Sequence, residues 1–369
     1  MTTRHFDIAV IGAGMAGASA AAFLSADRTV VLIEAEDAAG YHTTGRSAAM
    51  WIESYGPPGI RALTRQSRRF LEAPPAGFAG TPLIRFRPML LVATPDQRAD
   101  LEAALAAGPG LRRLANAEAE AMVPALRPGY LGGAALEDAF DIEVAALHQG
   151  FLRMHRANGG VVALRSRAGR IERRGSAWEV ETACGDRFTA PVVVNAAGAW
   201  GDAVARLAGA APVGLEPRRR SVAIIDPAPA EVSGWPMIID VNETWYARPE
   251  ARTRLLVSPA DATPVHPHDV QPEELDIATG IDRMQRALDI TVRRVERKWA
   301  GLRTFTPDGS PALGWDRRTE GFFWCVGQGG YGIQTAPAAG RLTADLVIGR
   351  DPGEAAATGC LFDPGRFDS

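Results

Sequence analysis

The sequence predicts an α/β fold, with a parallel sheet fed from the N-terminus and a second domain built on an antiparallel sheet. Three observations carry this prediction. A β-branched, apolar run at 7–11 turns through Gly12-Ala13-Gly14 into an alanine-rich helix. Near the C-terminus, a run at 322–326 turns through Gly327, Gly329, Gly330 and Gly332 into another helical pattern. Between them lie short alternating segments bounded by turn residues, the pattern of antiparallel strands.

In chain order, the 7–11 strand, a helix ending near 25 and a buried strand at 30–33 form a right-handed, Rossmann-like βαβ unit. Pro57-Pro58, Pro74-Pro75 and the proline-rich stretch 259–272 read as loops. A helix over 142–156 has Asp141 as its N-cap and Asn158-Gly159 as its stop. Strands follow at 161–164, 170–173, 178–182 and 192–194. Further short strands at 221–225, 235–241, 244–248 and 255–258 belong to the second domain. The last helix spans about 333–348, with Pro337 early enough to be tolerated. The first domain is therefore expected to be discontinuous, over 1–49, 141–210 and 300–369, and the second to cover 50–140 and 211–299.

The 369 residues, 46% hydrophobic and 22% charged, suffice for two cores. With 40 Lys and Arg against 43 Asp and Glu, no strong field favours nucleic acid as a partner. Cys184, Cys325 and Cys360 are scattered, which fits a reducing cytoplasm. The N-terminal pattern leads to no expectation of an export leader, and no run of about eighteen apolar residues occurs in the sequence. A cytoplasmic protein without a transmembrane segment is expected, with peripheral docking at the inner membrane left open. His266-Pro267-His268 lies in a proline-rich stretch without a third ligand, so no metal is expected. Hydrolase and kinase motifs are missing.

Gly12-x-Gly14-x-x-Gly17 stands directly after the first strand, and Glu34 ends the second, at the spacing of a carboxylate that accepts ribose hydroxyls. Gly12 permits the tight turn, Gly14 lets the backbone approach a pyrophosphate, and Gly17 lets helix and strand pack closely. This motif does not separate NAD from FAD.

Further blocks bear on that choice. Glu34-Ala35 is followed by Gly40-Tyr41-His42-Thr43-Thr44-Gly45-Arg46-Ser47-Ala48-Ala49. Later come Val194-Asn195-Ala196-Ala197-Gly198-Ala199-Trp200, Trp299-Ala300-Gly301-Leu302-Arg303 and Gly327-Gln328-Gly329-Gly330-Tyr331-Gly332-Ile333-Gln334-Thr335. In this order they resemble the D-amino-acid oxidase-like superfamily of FAD-dependent oxidoreductases, nearest in wording to bacterial D-amino-acid dehydrogenases of the D-arginine type. Trp235-Pro236-Met237 and Val270-Gln271-Pro272-Glu273 extend the likeness. The resemblance implies a Rossmann-like FAD-binding domain and a substrate domain. Its chemistry is oxidative deamination of D-amino acids, by hydride transfer from Cα to flavin N5, giving an imine and then a 2-oxo acid and ammonia. FAD is expected to be non-covalent, because no cysteine lies in Gly301-Leu302-Arg303.

The resemblance assigns cofactor contacts to Gly12, Gly14, Gly17, Glu34, Ala35, Arg46, Ser47, Ala168, Gly198, Trp200, Gly301, Gly329, Gly330, Gly332 and Ile333. Arginine's planar fork suits an α-carboxylate, and the matching positions are Arg220, which ends Arg218-Arg219-Arg220, and Arg303. Tyr55 and Tyr246 match active-site tyrosines, completing the catalytic set, while Gly330 and Gln334 are expected against the substrate. Where D-arginine users carry a glutamate, this chain has Met89, and two polar pocket positions align with Met50 and Ile52. An apolar substrate side chain is therefore expected. The electron acceptor, quinone or oxygen, is open. So are two rival readings, a sarcosine-like or N-methyl amino-acid oxidase and a non-catalytic flavoprotein subunit. A plain NAD dehydrogenase is disfavoured because it leaves the C-terminal glycine block without a role.

Overall fold

A computed structural model describes residues 3–108, 110–353 and 355–368. Its first sheet has the order Val161–Ala163, Val30–Ile33, Ile8–Ile11, Val192–Asn195, Phe322–Val326 and Ala312–Trp315. All neighbours are parallel except the last pair. Such strands are covered on both faces, which is why they read as continuous apolar runs. Helices Met15–Leu24, Val144–Ala157 and Ala336–Ile348 cover one face, and the antiparallel strands Ala168–Arg174, Ala177–Thr182 and Arg187–Ala190 lie over the other. The first and last of these helices approach closely, since a Cβ at Gly340 would stand 2.7 Å from the Ser19 Cβ.

The second large sheet runs Thr263–Pro264, Glu216–Ile225, Arg254–Ser258, Tyr246–Glu250, Met237–Asp240, Met89–Ala93, Gly133–Glu137 and Arg112–Leu114. The long strand Val295–Phe305 also pairs with Glu216–Ile225. It is antiparallel apart from one pair, Met237–Asp240 beside Met89–Ala93. A parallel pair needs a long crossover, and these two strands are far enough apart in the chain to have one. Leu90, Val92, Leu136 and Ile238 face one buried core, while Met89, Leu91, Ala135, Met237 and Ile239 face the other way, into a cluster with Met50, Ile52 and Leu101.

Three expectations need correction, the first being the loop at Pro57-Pro58, since Pro58 opens the helix Pro58–Glu72, where its missing N–H costs nothing. The helix expected from Ile142 begins at Val144, because Phe140–Ile142 is a strand paired with Met50–Trp51 and Ile84–Phe86. Asp141 is therefore not a helix cap. Its carboxylate accepts from Arg87 Nε at 2.6 Å and Arg248 Nη1 at 2.9 Å, a stronger demand than a helix N-terminus makes. The final helix begins at Ala336 rather than Ile333, with Pro337 in its first turn, so a further turn separates the glycines from the helix proper. Among the described residues no helix is long and apolar enough to cross a membrane.

Candidate active site

The five sequence blocks, from the Gly12 motif to the C-terminal glycine turn, meet around one cavity. Gly12 (φ 102°) packs so tightly on the third block that a Cβ there would lie 2.5 Å from the Ala196 carbonyl oxygen. A Cβ at Gly17 would stand 1.8 Å from the Gly12 carbonyl oxygen, so Gly17 sets the packing of turn on helix and does not line the cavity. The second block caps the same helix, with Thr44 Oγ1 accepting from Met15 N at 2.9 Å. It also ties to the fourth strand segment. Thr43 Oγ1 donates to the Leu302 carbonyl at 2.7 Å, and Trp299 Nε1 donates to the Arg46 carbonyl at 2.9 Å. The C-terminal glycine turn is joined through Gly329 N to the Thr304 carbonyl at 2.8 Å.

The cavity measures about 660 Å³ and runs from Glu34, Glu36 and Ala168 to Tyr55, Arg220, Tyr246 and Arg303. Apart from Gly17, every residue expected to contact cofactor or substrate lines it. At the first end, the Glu34 carboxylate accepts from Ala13 N at 2.8 Å and Glu36 N at 3.0 Å. Each carboxylate oxygen has a second lone pair, which leaves capacity for a diol. His148 supports the turn from below: burial lowers its pKa and keeps it neutral, and its Nε2 stands 2.9 Å from the Ala13 carbonyl, which it meets as a donor.

At the other end the arginine triplet splits three ways. Arg218 pairs with Glu216, and Arg219 is buried among Asp261, Glu273 and Asp276. Arg220 is anchored by its Nε on the Asp261 carbonyl at 2.7 Å, and among the described residues its Nη groups hold no hydrogen bond. Arg303 donates to the Tyr55 hydroxyl. Burial opposes its charge, but the hydroxyls of Tyr55, Tyr246 and Tyr331 outweigh that and raise its pKa. The guanidinium lies against Gly330, where a Cβ would meet Nη2 at 1.5 Å.

Beyond the arginines the wall is apolar. Met50, Ile52 and Met89 are joined by Leu91, Met237, Ile239 and Val241, which the sequence reading had not placed in the site. The alternation Met89-x-Leu91 and Met237-x-Ile239-x-Val241 is the signal that put them on one face. Arg46 does not point freely at a ligand. Its Nη1 donates to the Val270 carbonyl at 3.1 Å and the Ala300 carbonyl at 3.2 Å, and its Nη2 pairs with Asp269, whose carboxyl this holds below its ordinary range.

Residues 7–346 match the family model described as FAD dependent oxidoreductase. The chain belongs to this family. Glycine oxidase of Bacillus licheniformis is 30% identical over 230 residues, which are 60% of this chain and 58% of that protein. D-amino acid dehydrogenase of Methylobacterium radiotolerans is 48% identical over 54 residues, 15% of this chain and 13% of that one. The matched stretches thus span less than two thirds of these relatives. The glycine oxidase structure from Geobacillus kaustophilus superposes with a TM-score of 0.85 at 22% identity, covering 98% of this chain and 99% of that chain, and shares the fold.

FAD is accordingly the cofactor of this oxidoreductase, and the residues fit it. Gly12 and Gly17 leave no room for a side chain where the turn enters the helix N-terminus, the kind of end that stabilises a pyrophosphate. Glu34, which would take the ribose hydroxyls, lines one end of the cavity, and the cavity continues to the C-terminal glycine turn.

Proposed function

We propose that this oxidoreductase deaminates D-amino acids with apolar side chains, releasing a 2-oxo acid and ammonia. The observation that carries the reading is one continuous cavity in which a cationic, hydroxyl-rich end adjoins a wall of methionine and aliphatic side chains. Bound FAD supplies the hydride acceptor. Arg303 and the free Nη groups of Arg220 bind the α-carboxylate, with Tyr55 and Tyr246 as hydroxyl partners. Clamping the carboxylate fixes where Cα lies, and that orientation is this chain's main contribution to rate. Met50, Ile52, Met89, Leu91, Met237 and Ile239 exclude water from the side chain. With the amine neutral, Cα gives up its hydride directly and water hydrolyses the resulting iminium to the 2-oxo acid and ammonia, so no protein base is assigned. The likeness to a D-amino acid dehydrogenase supports the D configuration.

A glycine or N-methyl amino-acid oxidase is the second reading, favoured by the relative matched over 230 residues. The apolar wall argues against it, because glycine would leave that wall facing water. Anaerobic mixing of the yellow protein with D- and L-amino acids, glycine and sarcosine tests both readings. Bleaching fastest with D-Leu, D-Met or D-Phe is expected. Bleaching by glycine or sarcosine alone transfers the assignment to the second reading.

We further propose that FAD is held without a covalent bond, since none of the cysteines lines the cavity among its described residues. Denaturation should release all the yellow colour into the filtrate. Colour that stays with the precipitated chain contradicts this.

A further inference from the structure

Tyr55 sits in an irregular segment, 52–56, with neither helix nor strand to hold it. Its hydroxyl must nevertheless meet Arg303 at the carboxylate end of the cavity. Three side chains pin the segment. Gln334 reaches Ile52 weakly, with its Oε1 3.3 Å from Ile52 N. Arg61 donates from Nε to the Gly56 carbonyl at 2.7 Å and from Nη1 to the Ala107 carbonyl at 2.8 Å. The third is Glu137, which does not line the cavity.

Glu137 ends the strand Gly133–Glu137 directly opposite Met89, so both side chains leave the sheet on the face towards the cavity. It is 2% exposed. Its carboxyl accepts from Ser54 N at 2.8 Å and from the Ser54 hydroxyl, and among the described residues no cation pairs with it. Burial accordingly raises its pKa. A buried carboxyl without a cation is costly, and here both its bonds go to the single residue that precedes Tyr55. The tyrosine ring is then wedged by Tyr331, edge-on at 4.9 Å and 63°.

We propose that Glu137 is a positioning residue for substrate binding: by taking both donors of Ser54 it holds the 52–56 segment where the Tyr55 hydroxyl completes the carboxylate clamp with Arg303. The effect on substrate rests on the amino-acid reading above; the effect on the segment does not.

Two measurements on the FAD-loaded protein separate these. Hydrogen exchange of the peptide covering 52–57 reads the segment itself, and calorimetric titration with 4-methylpentanoate, a leucine skeleton without its amine, reads the clamp. Glu137→Ala should speed exchange and weaken the probe, each by roughly tenfold, the scale of a lost hydrogen bond to a charged group. Glu137→Gln accepts from Ser54 N and donates to its hydroxyl, so it should restore both. In a Tyr55→Phe background Glu137→Ala should weaken the probe by less than about twofold, because coupled residues are not additive. If Glu137→Ala does not fold, Ser54→Ala, which loses the hydroxyl bond and keeps the one from the main chain, should move both readouts the same way by a smaller factor than Glu137→Ala, against Glu137→Gln. Wild-type exchange in Glu137→Ala, or in Ser54→Ala where that variant stands in, overturns the proposal, as does faster exchange with full probe affinity. A wild-type protein that ignores the probe overturns the amino-acid reading, while exchange still decides whether Glu137 holds the segment.

Discussion

Arg220 and Arg303 differ in how they are held, and this separates what their loss should do. Arg220 hangs from one main-chain carbonyl, whereas Arg303 is packed between the Tyr55 hydroxyl and the bare α-carbon of Gly330. Arg220→Ala should weaken substrate capture by about 2–5 kcal/mol, the range for removing one partner of a desolvated charge pair, with FAD content unchanged. The dependence of flavin bleaching rate on substrate concentration measures this. Gly330→Ala should reproduce the Arg303→Ala defect, because a methyl 1.5 Å from Nη2 forces the guanidinium out. An alanine variant that binds substrate normally would show that Arg303 is not in the clamp. Burial of Glu137 also shapes the response to pH. Its folded pKa is raised above 4.5, so its stabilising contribution is present in acid and is lost as pH rises through the folded value. Unfolding temperatures of Glu137→Gln, followed upward from that pH, should fall less than those of the native chain. Among single residues, Arg303 stands inside a quoted block, while Arg220, Tyr55 and Tyr246 came from the resemblance, and all four line the cavity. Glu137 was not legible in the sequence, because its role depends on a loop that meets it only in three dimensions.

Elements were legible where one local rule acts alone. The strands at 30–33 and 322–326 have their expected ends, since buried parallel strands must be continuously apolar and a glycine or polar residue stops them. At Asp141 two rules competed. An acidic residue before an amphipathic run looks like an N-cap, but Arg87, just after the strand Ile84–Phe86, and Arg248, in the strand Tyr246–Glu250, take its carboxylate and the chain stays extended through Ile142. The helix Met15–Leu24 shows how close packing serves the cofactor. Its Gly14 N-cap offers no side chain, and the turn is held by Glu34 on Ala13 N, Thr44 on Met15 N and His148 on the Ala13 carbonyl. Gly17→Ala should therefore disturb FAD more than fold. Its methyl must displace the Gly12 carbonyl, distorting the turn that would hold the pyrophosphate. The flavin-to-protein absorbance ratio after gel filtration should drop well below that of the native chain. An unchanged ratio would mean that the turn relaxes without cost.

At the scale of the whole molecule, the cavity exists because the parallel sheet and the large second sheet face each other across it, with the long strand Val295–Phe305 running between them. Sequence blocks identified the cofactor half, where backbone geometry repeats a known pattern. The substrate half depends on register, so Leu91, Met237 and Ile239 emerged only when their strands were aligned. Register also decides what a specificity swap would do. Met89 lies opposite Glu137, hence Met89→Glu places a second buried carboxyl across from the first. Two such groups in an apolar setting resist ionising together, so one keeps a proton until a cation arrives. A guanidinium or ammonium side chain supplies that cation, while an isobutyl group leaves the pair uncompensated. Met89→Glu should therefore lower the unfolding temperature and shift relative kcat/KM from D-Leu towards D-Arg and D-Lys, more strongly as rising pH removes the shared proton. In the native chain, burying a cation against Met50, Ile52 and Met89 would cost several kcal/mol, whereas an apolar side chain gains about 25 cal/mol per Å² buried. Steady-state rates for the four combinations of D-Leu and D-Arg with native and Met89→Glu protein decide the matter. D-Arg as the better substrate of the native chain would remove Met89 from the side-chain pocket and leave the flavin cradle untouched.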